Sequence, residues 1–369
     1  MRETRELEVK PIRVFEAFAG IGTQRMALRN LGVKHEVVAI SEIDKFAIKS
    51  YEAIHGKVNN LGDISKINVK DIPDHDLFTY SFPCQDISVA GLGKGLDKNS
   101  GTRSGLLWEC ERIIEEKKPK YLLMENVKNL VGKKFKPDFD KWLERLEELG
   151  YSNYWQVLNA RDYGIPQNRE RVFCVSILGE HTPYEFPKGF QLDLKLKDIL
   201  EDEVEEKFYL SQKQVDRITS SSYDQNRRRI QEKDYSDTLC ARDYKDPKCV
   251  RVVAKEESGR MGKQAIETYN KNNTKHGDTI NPFNKKISSD NGVSPTITTR
   301  PEGFKTAINV VDQFRVRKLT PKECWRLMGC SDEDFHKAEK VNSKTQLYKQ
   351  AGNAIVVDVL EGIFRELFK

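Results

Sequence analysis

The chain has 369 residues, of which 38% are hydrophobic and 32% are charged; this composition excludes fibrous and membrane-embedded classes, and the length favours about two domains. No apolar run approaches the ~20 residues of a membrane-spanning helix, and no secretory signal pattern is present, so we expect a cytoplasmic protein. The net charge of +5 excludes little, whereas the seven cysteines, an odd number without a Cys-x-x-Cys pair, predict neither a disulfide framework nor a zinc site.

Short apolar runs alternate with segments of helical periodicity through the first half of the chain. Strands separated by helices of about 10–15 residues are typical of βαβ units. The sequence therefore predicts an α/β fold with a mostly parallel sheet. The predicted strands are residues 12–20, 35–44, 76–84, 120–127, 153–164 and 171–178, and the predicted helices are residues 23–32, 45–56, 106–120 and 138–150.

The pattern changes after residue 184, and the alternation fades over residues 207–310. The segment 207–311 carries 20 Lys and Arg against 13 Asp and Glu, so it holds the positive excess of the chain. Such an asymmetry indicates either a nucleic-acid surface or a solvated, lysine-rich loop region. Helical periodicity returns after Pro321 and again over residues 346–367, where it predicts one amphipathic helix. We expect this tail to pack back onto the first region.

A glycine-rich turn, Phe18-Ala19-Gly20-Ile21-Gly22, follows the first predicted strand. Glycines there let the backbone turn tightly and approach a ligand. Glu42 ends the second strand 20 residues after Gly22, an offset at which an acid accepts hydrogen bonds from ribose hydroxyls. Asp63 ends the next apolar stretch, at a position suited to an adenine amino group. A pyrophosphate ligand favours a third glycine in this turn, but Arg25 takes that position. The pattern therefore favours S-adenosylmethionine over NAD. The alternative is a tight turn without a ligand.

Cys84 directly follows the third predicted strand, in Ser81-Phe82-Pro83-Cys84-Gln85. Ligands of open α/β sheets bind beyond the carboxyl ends of the strands, so we expect Cys84 to face the ligand crevice. A lone cysteine is most often a small buried hydrophobic residue. Glu125, which ends the next predicted strand, supplies an acid at the same sheet edge, and a nucleophile beside an acid favours covalent catalysis. We expect the glycine-rich loop 89–105 to close over a substrate; the alternative is an exposed connection.

These motifs, in this order, resemble those of the DNA (cytosine-5)-methyltransferases. The resemblance implies a Rossmann-like, S-adenosylmethionine-dependent catalytic domain with helices on both faces of the sheet, formed by residues 1–185 and 314–369. It implies a smaller, irregular, mostly β target recognition domain at residues 186–313. The sequence departs from the family at Ala354, where serine is common, and we expect the loss of one cofactor contact at most. The matching motifs are F-A-G-I-G (18–22), Glu42, G-D-I (62–64), P-C-Q (83–85), E-N-V (125–127), Q-N-R-E-R (167–171), R-K-L-T-P-K-E-C-W-R-L-M-G (317–329) and Q-L-Y-K-Q-A-G-N-A (346–354).

The resemblance also implies a role for each matching residue. Cys84 would attack C6 of the target cytosine, and Glu125 would hold or protonate N3. Arg169 and Arg171 would lie near O2 and the adjacent phosphate. The implied cofactor residues are Phe18, Gly20, Gly22, Glu42, Ile43, Asp63, Ile64, Pro83, Leu106 and Asn353. The implied DNA contacts are Gln85, Ser88, Arg103, Thr296, Ile297 and Arg300, with Thr238-Leu239 competing for the position of Thr296-Ile297.

The family further implies a bacterial or phage enzyme that acts on duplex DNA, needs no metal and flips its target base out of the helix. We expect a monomer without a membrane partner, and a restriction endonuclease that cuts the same site is an implied partner. Three alternatives stay open: a tRNA cytosine-5 methyltransferase of the same fold, an inactive DNA-binding relative, and an NAD-dependent oxidoreductase. The intact P-C-Q motif and the long middle region disfavour the first, the complete set of catalytic residues disfavours the second, and Arg25 disfavours the third. The sequence predicts no recognition site.

Overall fold

A computed structural model describes residues 10–83, 106–190, 193–219, 230–231, 234–245, 247–253 and 314–369. The chain divides into two compact units. The first unit comprises Met1–Val204, Gln231–Lys248 and Leu319–Lys369, and the second comprises Glu205–Ile230 and Cys249–Lys318. None of the helices in the described ranges combines the length and the apolar composition that a bilayer-crossing segment requires.

The strands and helices are numbered here in chain order. The strands are β1 (Ile12–Ala17), β2 (His35–Ser41), β3 (Leu77–Tyr80), β4 (Tyr121–Val127), β5 (Tyr151–Asn159), β6 (Gln167–Asn168), β7 (Glu170–Leu178), β8 (Ile230–Gln231), β9 (Ser236–Asp237), β10 (Cys249–Val253) and β11 (Phe314–Lys318). The helices are α1 (Thr23–Asn30), α2 (Lys45–His55), α3 (Leu107–Lys117), α4 (Lys136–Glu148), α5 (Gln212–Thr219), α6 (Pro321–Arg326), α7 (Asp332–Glu339), α8 (Lys344–Asn353) and α9 (Val357–Leu367).

The first unit contains a six-stranded sheet in the order β2-β1-β3-β4-β7-β5. The first four strands of this order are parallel, and β7 runs antiparallel to both of its neighbours. Residues 160–169, which join β5 to β7, are too few for the helical crossover that a parallel neighbour needs. The predicted α/β fold with a mostly parallel sheet is confirmed.

The core of the first unit is packed around the middle of the sheet. Every residue of β3 is buried, as expected for a parallel strand covered on both faces. The rings of Phe15 and Phe78 stack at 5.2 Å on neighbouring strands, and Phe78 stacks on Tyr80 at 5.1 Å. Trp142 of α4 meets Tyr80 edge to face at 6.1 Å. This rigid aromatic column fixes the strands whose carboxyl ends carry the predicted site residues.

The tail of the chain belongs to the first unit but does not form the single helix predicted for residues 346–367. It forms α8 and α9, with an extended break that begins at Ala354 (φ −70°, ψ 157°). The side chain of Arg169 donates hydrogen bonds to the carbonyls of Gly352 and Ala354, which a continuous helix would direct to its own amides. The break is accompanied by side-chain contacts from a segment that is distant in the sequence. Helical periodicity cannot predict such contacts.

The second unit has a small core formed by buried Ile218, Ile230, Cys249 and Val316. β10 and β11 pair antiparallel, and β8 is the third strand of this sheet. The division into a catalytic and a target recognition domain stays a prediction. Residues 186–204 and 231–248 belong to the first compact unit. The sequence predicts them to lie in the target recognition domain instead.

Candidate active site

A cavity of about 490 Å³ opens in the first unit at the carboxyl ends of β1, β2, β3 and β4. Parallel strands bring the residues that follow them to one edge of the sheet, so these loops form most of the lining. The end of α8 and the start of β7 complete it. The predicted site residues that line the cavity are Phe18, Gly20, Glu42, Ile43, Asp63, Ile64, Pro83, Leu106, Glu125, Arg169, Arg171 and Asn353.

The glycine turn after β1 takes a backbone course that favours glycine. Gly20 (φ 58°) and Gly22 (φ 76°) both have left-handed conformations, and Phe18 shares this conformation (φ 56°) as a strained exception. A Cβ on Gly22 would also overlap the ring of Tyr51. Gly22 lies beside the cavity rather than in its lining, so its contribution is to the shape of the turn.

Glu42 is an acid of the cavity that three backbone amides hold in place. Its Oε1 accepts hydrogen bonds from the amides of Ile43 and Asp44, each at 2.8 Å, and its Oε2 accepts one from the amide of Gly20 at 2.9 Å. A carboxylate with two lone pairs on each oxygen retains acceptor capacity after three such bonds. The neighbouring side chain of Ile43 is 74% exposed, which leaves an apolar surface at the cavity.

Asp63 caps the short helical turn that follows it. Its carboxylate accepts hydrogen bonds from the amide of Ser65 at 3.1 Å and from the Ser65 hydroxyl at 2.8 Å, and it pairs with Lys66 at 3.4 Å. The hydrogen bonds from Ser65 lower the pKa of the Asp63 carboxyl, with a smaller contribution from Lys66. Asp63 is therefore an ionised acceptor at the rim of the cavity.

Glu125 and Arg171 form the one ion pair between described residues of the cavity lining. Glu125 Oε1 lies 3.3 Å from Arg171 Nε, and both side chains are largely buried. Burial raises the pKa of the Glu125 carboxyl, and the charges of Arg171 and Arg169 oppose this rise. The next residue, Asn126, donates from Nδ2 to the carbonyl of Phe82 at 3.0 Å and so ties the end of β4 to the loop after β3. An acid with raised pKa beside a fixed guanidinium is suited to proton transfer.

Arg169 has different contacts from Arg171, although the sequence predicts similar roles for the two. Its guanidinium donates hydrogen bonds to the carbonyls of Leu239 (2.8 Å), Gly352 (3.2 Å) and Ala354 (2.9 Å). The residue is only 4% exposed. Arg169 therefore connects three main-chain positions around the cavity, whereas Arg171 pairs with an acid in it.

A segment from the middle of the chain also lies beside this site. β9 pairs in parallel with β6 of the Gln-x-Arg-x-Arg motif, and Thr238 Oγ1 donates to the carbonyl of Asn168 at 2.7 Å. The amide of Leu239 donates to Gln167 Oε1 at 3.0 Å. We call residues Ser236–Asp243 the return segment. It carries Thr238-Leu239, one of the two candidate pairs for the recognition of the target base.

Two residues that position the site were not predicted. Asn60 Oδ1 accepts from the amides of Glu42 and Gly62, both at 3.1 Å, and so joins the loops after β2 and before Asp63. Gln350 of α8 donates from Nε2 to the carbonyl of Phe46 on α2 at 3.0 Å, which holds the tail against the cavity. Gln350 lies within the last matching motif, which was a usable signal, whereas Asn60 lies outside every motif.

The other predicted site residues lie outside the described residues. They are Cys84, Gln85, Ser88, Arg103, Thr296, Ile297 and Arg300.

A network of buried side chains packs against the glycine turn. Glu16 of β1 is fully buried, and its Oε2 accepts a hydrogen bond from the Tyr51 hydroxyl at 2.7 Å. The Tyr51 ring lies against Gly22 and 4.7 Å from the ring of His55. His55 Nε2 donates to the carbonyl of Ile21 at 3.1 Å. Two side chains of α2 thus hold the turn in place.

The buried acid of this network predicts a pH-dependent stability. Burial raises the pKa of Glu16 to about 7, against the opposing effects of Tyr51 and Arg25. The unfolded chain binds fewer protons at this site between its ordinary pKa and 7, so the free energy of unfolding falls as pH rises through that window, by about 3 kcal/mol in total. We expect Glu16→Gln to remove this fall.

Urea denaturation of the wild type and Glu16→Gln at pH 5 and pH 8 measures the difference. Glu36→Gln, on the exposed side of β2, is the matched control and should follow the wild type. Equal pH dependence in Glu16→Gln and the wild type would show that the carboxyl is not neutral in the folded protein.

Comparisons with known proteins identify the family. A family model described as C-5 cytosine-specific DNA methylase matches residues 12–369. The chain belongs to this family. The methylase is 42% identical to the type II methyltransferase M2.ScrFI of Lactococcus lactis subsp. cremoris, over 97% of its own length and 99% of the relative's. It is 33% identical to the type II methyltransferase M.HhaI of Haemophilus parahaemolyticus, over 98% and 96% of the two chains.

The fold of the methylase also occurs among solved structures. The structure of the S. pombe Dnmt2 methyltransferase has a TM-score of 0.64 and 19% identity, and the match covers 96% of the methylase and 97% of that chain. This likeness concerns the fold alone. The family match and the type II relatives make the methylase a DNA (cytosine-5)-methyltransferase, so the predicted family is confirmed and the oxidoreductase alternative is wrong.

Proposed function

We propose that the methylase transfers a methyl group from S-adenosylmethionine to C5 of a cytosine flipped out of duplex DNA, through a covalent adduct between Cys84 and C6. The observation that carries the proposal is the pairing of Glu125 with Arg171 at 3.3 Å in a cavity that also contains Glu42. An acid and a cation suited to a pyrimidine base therefore share one cavity with an acid suited to ribose hydroxyls.

The residues on the adenosine side fit the proposed cofactor. Glu42 is fixed by three amides and retains acceptor capacity for ribose hydroxyls. The exposed side chain of Ile43 offers an apolar surface to an adenine ring, and the ionised Asp63 offers an acceptor to its amino group. Space around Gly20 is open, so the backbone there is accessible to a ligand. S-adenosylmethionine supplies an activated methyl group when bound.

The residues on the other side of the cavity suit the activation of cytosine. C5 of cytosine is a weak nucleophile, and addition of the Cys84 thiolate to C6 gives C5 the character of an enamine. Glu125 holds or protonates N3 as the electron pair moves into the ring. Arg171 stabilises the negative charge that develops at O2. Once C5 has taken the methyl group, which leaves S-adenosylhomocysteine, a base removes the C5 proton and the electron pair of that C–H bond forms the double bond between C5 and C6. The bond between sulfur and C6 breaks in the same step, Cys84 leaves as the thiolate, and Glu125 takes back any proton that it gave to N3.

We propose that Thr238-Leu239 is the pair that lies near the flipped base. The hydroxyl of Thr238 donates a hydrogen bond to the carbonyl of Asn168. The carbonyl of Leu239 accepts a hydrogen bond from Arg169, which is two residues before Arg171. These contacts support Thr238-Leu239 over Thr296-Ile297, on which the described residues give no information. Unstacking the base costs a few kcal/mol, which contacts to the flanking phosphates offset.

We also make a proposal about the oligomeric state, the cellular location and a partner of the enzyme. We propose a monomeric, cytoplasmic enzyme and a cognate restriction endonuclease that acts on the same DNA site. The type II names of the two relatives support the second of these.

Transfer of a labelled methyl group tests the substrate class. The methylase is incubated with labelled S-adenosylmethionine and either duplex bacterial DNA or bulk tRNA. We expect label in the DNA, and no label in the same DNA synthesised with 5-methylcytosine in place of cytosine. Label transferred to tRNA alone would establish the tRNA enzyme instead.

A further inference from the structure

The guanidinium of Arg169 lies between two segments of the first unit. On one side it donates to the carbonyl of Leu239 in the return segment, at 2.8 Å. On the other side it donates to the carbonyls of Gly352, at 3.2 Å, and Ala354, at 2.9 Å. These last two carbonyls flank Asn353, which lines the cavity and is a proposed cofactor contact. One buried side chain therefore touches the backbone of both proposed ligand sites.

The two segments also approach each other closely without any side chain between them. A Cβ on Gly352 would overlap the backbone of Cys240 and Ala241. Gly352 has a helical conformation in which alanine is ordinarily favourable, so the contact rather than the backbone angle requires glycine here. The end of α8 and the return segment therefore pack backbone against backbone at Gly352.

A third contact ties the return segment to the body of the unit. Gln167 accepts from the amide of Leu239 at 3.0 Å through Oε1 and donates to the carbonyl of Leu327 at 2.7 Å through Nε2. Leu239 is thus held at both its amide, by Gln167, and its carbonyl, by Arg169. The backbone at Leu239 has little freedom to move independently of these two side chains.

We propose that Arg169 couples the two ligand sites, so that cofactor binding and DNA binding strengthen each other through this side chain. The inference rests on the proposed function, with the cofactor contact at Asn353 that the family resemblance implies and the DNA contact proposed for Thr238. A ligand that fixes residues 352–354 also fixes the guanidinium bonded to their carbonyls. The return segment is then ordered before DNA arrives, and the second ligand binds with a smaller entropy cost. Arg169 is a positioning residue, and of the two arginines only Arg171 contacts the base.

Arg169→Lys tests the coupling, because a single ammonium on a flexible stem cannot replace a planar fork bonded to three carbonyls. The probes are S-adenosylhomocysteine, measured by calorimetry, and a fluorescent duplex that carries the site found by bisulfite sequencing, measured by anisotropy. We expect S-adenosylhomocysteine to tighten DNA binding of the wild type by roughly 5- to 150-fold, and DNA to tighten its binding by the same factor. In Arg169→Lys the factor should fall close to one.

Gly352→Ala provides a second variant that leaves Arg169 intact. The added methyl group displaces the return segment, so this variant should also lower the coupling factor. If Arg169→Lys shows no cooperative thermal unfolding, the coupling is tested with Gly352→Ala instead. Arg145→Lys is the matched control, since Arg145 on α4 bonds Glu111 and Glu115, both on α3, and this variant should keep the wild-type factor.

The outcomes separate the coupling from the proposed function. A wild type that binds both probes without coupling would overturn the inference, and so would wild-type coupling in both Arg169→Lys and Gly352→Ala. A wild type that binds neither S-adenosylhomocysteine nor DNA would instead contradict the proposed function.

Discussion

Replacing Cys84 by alanine is expected to reduce methyl transfer to DNA below detection while the protein still binds S-adenosylhomocysteine. Without a thiolate to add to C6, C5 of cytosine stays too weak a nucleophile to accept the methyl group. None of the described residues that line the cavity is a cysteine that could replace it. Initial rates with labelled S-adenosylmethionine and duplex DNA measure the loss.

The matched control for this variant is Cys110→Ala. Burial on α3 raises the pKa of the Cys110 thiol, so this group stays protonated and unreactive. Cys110→Ala should keep the wild-type rate once its fold is verified by thermal unfolding. If Cys84→Ala methylated DNA at the wild-type rate, the covalent mechanism would be wrong as a whole.

Glu125→Gln is expected to lower the rate of methyl transfer by roughly 10²- to 10⁴-fold, the usual contribution of a positioned acid. Glutamine keeps the shape of the side chain and its contact with Arg171, but it cannot give a proton to N3. Because burial raises the pKa of Glu125, its protonated form persists to higher pH than that of an ordinary carboxyl. The wild-type kcat/KM should therefore fall on the alkaline side as this proton is lost.

The pH profile of Glu125→Gln should lack that alkaline fall, which distinguishes an acid from a residue that only supports the fold. Glu170→Gln is the control on the neighbouring strand, because Glu170 begins β7, which pairs with β4, and its half-exposed side chain pairs with Lys128 at 2.7 Å. An equal loss of rate in both variants would indicate a structural effect on the paired strands β4 and β7. An unchanged rate in Glu125→Gln would remove this residue from the mechanism.

The sheet and much of the site were predictable because local patterns encode them. The alternation of strands and helices gave the parallel strands, and the residues that follow each parallel strand meet at one edge by geometry alone. This is why Gly20, Glu42 and Glu125, which are far apart in the sequence, line one cavity. Asp63 also lines it, although it follows a loop that is bridged to β2 between Ile40 and Asn60 rather than a strand of the sheet. The antiparallel direction of β7 was harder to predict from the sequence. This direction depends on the short link from β5 and not on the composition of β7 itself.

The contacts of the return segment could not be predicted in this way. β9 has two residues and pairs with a strand of two residues, Gln167–Asn168, so neither carries a periodic signal. The different contacts of Arg169 and Arg171 follow from this pairing, because it is the return segment that supplies the carbonyl of Leu239. The break in the tail at Ala354 likewise coincides with a hydrogen bond from Arg169, which is distant in the sequence. Long-range contacts of this kind are specified by the assembled fold rather than by any single stretch.

Bisulfite sequencing of DNA from cells that express the methylase tests the central claim most directly. Bisulfite converts cytosine and spares 5-methylcytosine, so the account predicts protected cytosines at one recurring sequence, and full conversion in cells that express Cys84→Ala. Uniform conversion at every site in cells that contain the wild-type protein would contradict the account.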